Sequence, residues 1–162
     1  LKAQYLDAVY DSLVYFTPSP PAAVSLCKLT PRQPGGTTLV NCNGQPALQS
    51  PTWTLNGSVD QDFPLANGAR VVAHANVLYE TKRRNHISYL PATISDANSR
   101  WDAALSYETA EGAWTLTGFI RNGGDTVTPT YILPPPGYNN NGALVAVLKP
   151  PRTYGVRMQA RF

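Results

Sequence analysis

Thiols, imidazoles and carboxylates are the groups with which this chain would do chemistry, and they are few: two Cys, two His, and ten Asp and Glu among 162 residues. Asp60 and Asp62 share one face of an alternating segment and are the candidates for an acid and base pair. They stand alone, since the sequence has no nucleophile elbow, no phosphate-cradling glycine loop and no HExxH, so catalytic residues are not expected. Cys27 and Cys42 with the distant His74 and His86 give no paired ligand spacing, and neither a metal nor a cofactor site is expected. The two Cys flank a Pro- and Gly-containing stretch with apolar or β-branched arms, so they would face each other across a small hairpin. A bridge there would stabilise by roughly 3 kcal/mol, and the other reading is two free thiols. Lys82-Arg83-Arg84 reads either as a contact for phosphates or an anionic solute, or as a solvated loop charge run. His86, Tyr89, Tyr131 and Tyr138 are further loop residues able to touch a small solute.

The elements that position these residues announce themselves by period two. In 53–63, Trp53, Leu55, Gly57, Val59, Gln61 and Phe63 alternate with Thr54, Asn56, Ser58, Asp60 and Asp62. A short turn over Pro64-Leu-Ala-Asn-Gly68 follows, and Ala69, Val71, Ala73, Ala75, Val77 and Tyr79 resume the apolar face against Arg70, His74, Asn76 and Glu80. Residues 100–109 place Trp101, Ala103, Leu105 and Tyr107 against Asp102, Ser106 and Glu108. After a second tight turn at 110–112, Trp114, Leu116, Gly118 and Ile120 oppose Thr115, Thr117 and Arg121, with Phe119 interrupting the polar side. The chain closes on Tyr154, Val156, Met158, Ala160 and Phe162 against Thr153, Gly155, Arg157, Gln159 and Arg161. Residues 3–16 are read as a first, least regular strand.

Composition narrows what such strands would face. The charged fraction, 14%, is about half that of an average soluble domain, which favours a surface partly hidden from water. Nine Tyr and three Trp against four Phe suit a boundary, because Tyr and Trp join an apolar body to a polar tip. No apolar run approaches the roughly twenty residues of a transmembrane helix, so any spanning element must be a strand. The net charge of +3 is small and scattered, and nucleic acid is not an expected partner.

The predicted fold is therefore all-β: an antiparallel up-and-down meander of about six long strands, a partial transmembrane β-barrel forming a single partial domain over 1–162. Connections at 17–51, 81–99 and 123–149 are long, and the others are tight turns. Long loops at one rim and tight turns at the other is the asymmetry of outer-membrane barrels. On that scheme Trp53, Tyr79, Trp101 and Tyr154 mark the outer rim, and Phe63, Tyr107, Trp114 and Phe162 the inner one, as two aromatic girdles. The step from Trp53 to Phe63 covers about 25 Å at roughly 40 to 45° tilt, the height of an apolar band. His74, Glu80, Glu108, Arg121, Arg157 and Arg161 then face the lumen. A soluble sandwich with aromatics in its core is the competing reading.

Arg121-Asn122-x-x-Asp125, the entry Pro151-Arg152-Thr153-Tyr154-Gly155 and the terminal Phe162 together resemble the C-terminal end of a TonB-dependent outer-membrane receptor, with Pro51-x-Trp53-x-Leu55 and the turn ending at Gly68 in the same order. Gly123 stands where such receptors usually carry Leu. The resemblance implies location in the bacterial outer membrane and import of a scarce solute, such as a ferric siderophore, cobalamin or saccharide, driven by TonB. It implies contact with outer-membrane lipid and lipopolysaccharide, with a plug domain, and with the barrel-assembly machinery through the strand ending at Phe162. An exposed loop that passes the oxidising periplasm favours the Cys27–Cys42 bridge. Leu1 opens directly on a strand, so the plug and earlier strands are expected to lie outside the chain. The alternatives are a segment of a passive porin or autotransporter, or a soluble carbohydrate-binding β-sandwich.

Overall fold

Wherever the period-two pattern is clean, the backbone is extended and paired. The computed structural model describes residues 1–18, 26–33, 35–87, 89–133 and 144–161, and these are all-β. In chain order the strands are β1 (Lys2–Tyr5), β2 (Val14–Pro18), β3 (Lys28–Gln33), β4 (Thr37–Asn41), β5 (Trp53–Pro64), β6 (Arg70–Glu80), β7 (Arg83–Arg84), β8 (Ile94–Ser95), β9 (Asn98–Glu108), β10 (Trp114–Arg121), β11 (Pro129–Leu133), β12 (Val145–Leu148) and β13 (Thr153–Ala160). One 3₁₀ turn, Pro91–Thr93, precedes β8.

Six strands form the main sheet in the order β1-β5-β6-β9-β10-β13, antiparallel throughout. Its register brings all the apolar stripes to one side. Phe63 lies opposite Val71, which lies opposite Tyr107, then Leu116, then Met158, and a second row runs Val59, Ala75, Ala103, Ile120, Tyr154. A one-residue slip at any of these pairings would turn that strand's apolar set to the polar side. The two tight turns share one edge of the sheet. Gly68 and Gly112 adopt positive φ, 80° and 66°, which turns this short require of glycine. The turns also touch, since a Cβ on Gly68 would lie 3.1 Å from Ala110 Cβ.

No strand, sheet or 3₁₀ turn among the described residues covers the apolar side. Trp53, Leu55, Val59, Phe63, Val77, Trp101, Leu105, Tyr107, Trp114, Leu116, Val156 and Met158 are all exposed on it. The buried apolar cluster lies elsewhere, in the long connections at the opposite rim, where Cys27, Val40, Cys42 and Tyr89 pack with Tyr10, Leu13, Tyr15 and Leu48. There β2-β4-β3 form a three-stranded sheet, while β7 pairs with β8 and β11 with β12.

The first segment departs from expectation. Residues 3–16 do not form one strand: β1 ends at Tyr5, and the chain then leaves the sheet for the rim. Val9 bridges Pro46, Tyr10 N–H donates to the Gln45 carbonyl at 3.0 Å, and Cys42 N–H donates to the Leu13 carbonyl at 2.8 Å. The reason is the apolar cluster itself, which takes in Tyr10, Leu13 and Tyr15 and pulls the segment off the sheet edge.

Candidate functional site

The chain presents three surfaces: a bare apolar face, a polar face behind it, and a knotted rim. On the apolar face the expected girdle residues sort by level. Trp53 pairs with Tyr5, the two rings 4.9 Å apart, Tyr79 sits opposite Leu55 and Ser99, and Trp101 opposite Val77, all toward the long loops. Tyr154, opposite Ile120, is the most exposed ring of the face among the described residues, at 81%. Phe63 and Tyr107 share one row through Val71, toward the tight turns, and Trp114 lies two residues beyond Leu116 of that row. Phe162 and Tyr138 lie outside the described residues.

The polar face is wired by side-chain bonds between neighbouring strands. Arg70 donates from Nε and Nη2 to Glu108 Oε2, at 3.0 and 2.7 Å, and from Nη1 to Asp62 at 3.3 Å. His74 Nδ1 lies 2.6 Å from Asp60 Oδ1, and the Ser106 and Thr117 hydroxyls are 2.8 Å apart. Asp60 and Asp62, the candidates for a paired acid and base, are thus each held by a separate partner, Asp60 by the His74 ring and Asp62 by the Arg70 guanidinium. Among the described residues no group of three His, Cys, Asp or Glu gathers to hold a metal ion, and no helix is long and apolar enough to cross a membrane.

At the rim, residues expected to meet solute are in part structural. Arg83 is 6% exposed: it donates to Glu80 at 2.9 Å and to the Pro129 carbonyl at 2.9 Å, and Lys149 reaches the same Glu80 oxygen at 3.2 Å. Tyr89 is 0% exposed, and its hydroxyl donates to the Pro46 carbonyl at 2.9 Å. Burial removes both from any direct solute contact, a correction to their reading as loop surface. Arg84 stacks its guanidinium over the Tyr89 ring at 5.8 Å, and His86 is half-buried, which lowers its pKa. Of the remaining candidates, Lys82 and Tyr131 are exposed. Burial holds the Tyr89 phenol up to about 12, helped by neighbouring Tyr10 and opposed by Arg84.

Cys27 and Cys42 are joined in a disulfide. They stand just before β3 and just after β4, where Lys28 pairs with Asn41, so the bridge closes the open end of that hairpin against the Tyr89 ring.

Sequence reasoning missed the residues that tie the rim together. Asn122, 1% exposed and at φ 49°, donates to the Thr126 and Pro150 carbonyls and takes Thr126 N–H, while its own N–H donates to Asp102 Oδ1 at 2.7 Å. Asp125 accepts the Arg152 N–H at 3.0 Å. The two quoted motifs are therefore one lock between the exit of β10 and the entry of β13. Gly123 carries no side chain for a steric reason, since a Cβ there would collide with the Trp101 indole. Asn85, also buried, receives Gln49 and bonds Thr93 and Ser95, joining two of the long connections. An Asn directly after a strand is the only trace of either in the sequence, and its burial comes from partners far along the chain.

The sequence matches no protein-family model, no curated protein and no solved structure at a significant level.

Proposed function

We propose that the sheet is a wall segment of a transmembrane β-barrel and that the chain forms C-terminal staves of an outer-membrane receptor of the TonB-dependent kind, importing a scarce solute. One observation carries the reading: six adjoining strands turn a wide apolar face, which no element among the described residues covers, to one side and a hydrogen-bonded polar face to the other. A sheet that faced its own core would have a second layer there, and a sheet in water would not expose so many large apolar side chains in one patch. Aromatic levels toward both edges, with tight turns at one rim and knotted loops at the other, suit a bilayer crossing. Among the described residues both outer strands, β1 and β13, leave an edge unpaired, and in hydrocarbon those backbone groups require further strands. Six strands are too few to close around a lumen, which further staves of a larger barrel would do.

In this reading the rim cap contacts lipopolysaccharide and solute, the polar face lines the lumen against a plug, and β13 is the strand read by the assembly machinery. The test is a charge on the apolar face between the aromatic levels. Leu105→Arg should cost about 2–4 kcal/mol and block membrane insertion, and Ser99→Arg near the edge about 0–1 kcal/mol. Equal tolerance of both would contradict a lipid-facing surface, because an exposed Leu in water accepts Arg freely.

A further inference from the structure

We infer that the polar face carries a binding cleft for a small solute bearing carboxylate or phosphate oxygens, built on Arg121 and Arg157. The inference rests on the proposed reading of this face as a wetted lumen wall and names the chemistry of what it receives there.

The cleft encloses about 250 Å³ between β6, β9, β10 and β13, and Arg121, Arg157, His74, Asn76, Asp102 and Thr117 line it. Register explains how two arginines reach one space. Arg157 lies opposite Thr117, Arg121 lies opposite Thr153, and between them Phe119 faces Gly155. With no side chain at Gly155, the Phe119 ring settles over it, and the Arg121 guanidinium rests on that ring at 5.4 Å. The ring thus holds Arg121 over the cleft while leaving its N–H groups unpaired with any acid.

Charge accounting sets the ligand. Of the carboxylates on this face, Asp62 and Glu108 are paired with Arg70 and Glu80 with Arg83 and Lys149, while Asp60 shares a hydrogen bond with the His74 ring. Asp102 alone lies in the cleft, and one of its oxygens takes the Asn122 N–H. Arg121, Arg157 and the neighbouring Arg161 form no ion pair among the described residues. Two planar guanidinium forks against one part-occupied carboxylate leave an excess of positive charge and of donors, which suits a carboxylate or phosphate and not a cation. Asn76 and Thr117 add the neutral polar groups that would orient such a solute.

The experiment is calorimetric titration of the protein in detergent micelles with citrate and, separately, inorganic phosphate at low ionic strength, a carboxylate arm and a phosphate arm. Saturable binding of at least one is expected, weakened by roughly tenfold or more in Arg157→Gln and in Arg121→Gln, as loss of a charged hydrogen-bond donor implies. Arg152→Gln, at the rim and outside the cleft, should bind as the unchanged protein does. No saturable binding of either probe, or the same loss in Arg152→Gln, overturns the cleft. So does an acidic peptide that binds the face and is not displaced by citrate, since the arginines would then serve a protein partner. Because the cleft opens to solvent either way, a positive titration alongside a tolerated Leu105→Arg would sink the membrane reading and leave the cleft standing.

Discussion

The ring of Phe119 fills the space that a side chain at Gly155 would need. The two residues face each other across β10 and β13, and a Cβ on Gly155 would lie 2.9 Å from Phe119 Cζ. An aromatic ring on a polar face thereby shields a strand glycine, a pairing that pins register.

Gly155→Val should therefore destabilise the sheet by about 1–3 kcal/mol through overpacking, read as a lower unfolding midpoint in detergent. In a Phe119→Ala background the same substitution should cost much less, because the ring that it strikes is gone. Additive effects of the two changes would show that they do not meet.

The bridge between Cys27 and Cys42 spans a sequence separation of 15, and replacing both with Ser should cost about 3 kcal/mol. That loss should fall on the rim. Hydrogen exchange should quicken in β2, β3 and β4 and around Tyr89, with the ladders of β5, β6, β9 and β10 unchanged. Uniform loosening of the whole chain would contradict a rim cluster separate from the sheet.

Two ion pairs of similar length should differ sharply in worth. Glu80, 15% exposed in its side chain, lies between the buried Arg83 and Lys149, so Glu80→Ala strands charge in the rim and should cost about 3–5 kcal/mol. The Arg70 and Glu108 pair, with side chains 50% and 24% exposed, is open to water and screened, so Arg70→Ala should leave the midpoint nearly where it is. Denaturant midpoints of the two variants separate these cases.

How much of this was legible beforehand depends on range. Strands β5, β6, β9, β10 and β13 were readable from period two alone, because alternation is a property of neighbours in sequence. Residues 3–16 were misread because the pull on Tyr10 and Leu13 comes from Tyr89 and the bridged Cys, far along the chain. The run Lys82-Arg83-Arg84 looked solvated for the same reason, since the carbonyl that buries Arg83 belongs to Pro129. Phe119 looked like an error of pattern until the register placed Gly155 across from it.

The rim should respond to pH at both ends. Folding raises the Tyr89 phenol from 10.0 to about 12, so its contribution is complete below pH 10.0 and is lost as pH climbs toward 12. Burial lowers His86 below 6.5, so its contribution is present above 6.5 and is lost as pH falls through the folded value. Burial also raises the Tyr15 phenol, so tyrosinate absorbance should show late-titrating phenols from which Tyr89→Phe removes the component near 12, and rim hydrogen exchange should rise on acidification less in His86→Gln than in the unchanged protein.

All three Trp of the chain, Trp53, Trp101 and Trp114, lie on the apolar face near its two edges, so their emission reports what touches that face. The most direct measurement is tryptophan fluorescence of the protein in bilayers of brominated phospholipid. Strong quenching by bromines placed near the headgroups, weaker quenching by bromines at the bilayer centre, and poor access for aqueous acrylamide are the predicted result. Emission untouched by either lipid and readily quenched by acrylamide would contradict a sheet embedded in hydrocarbon.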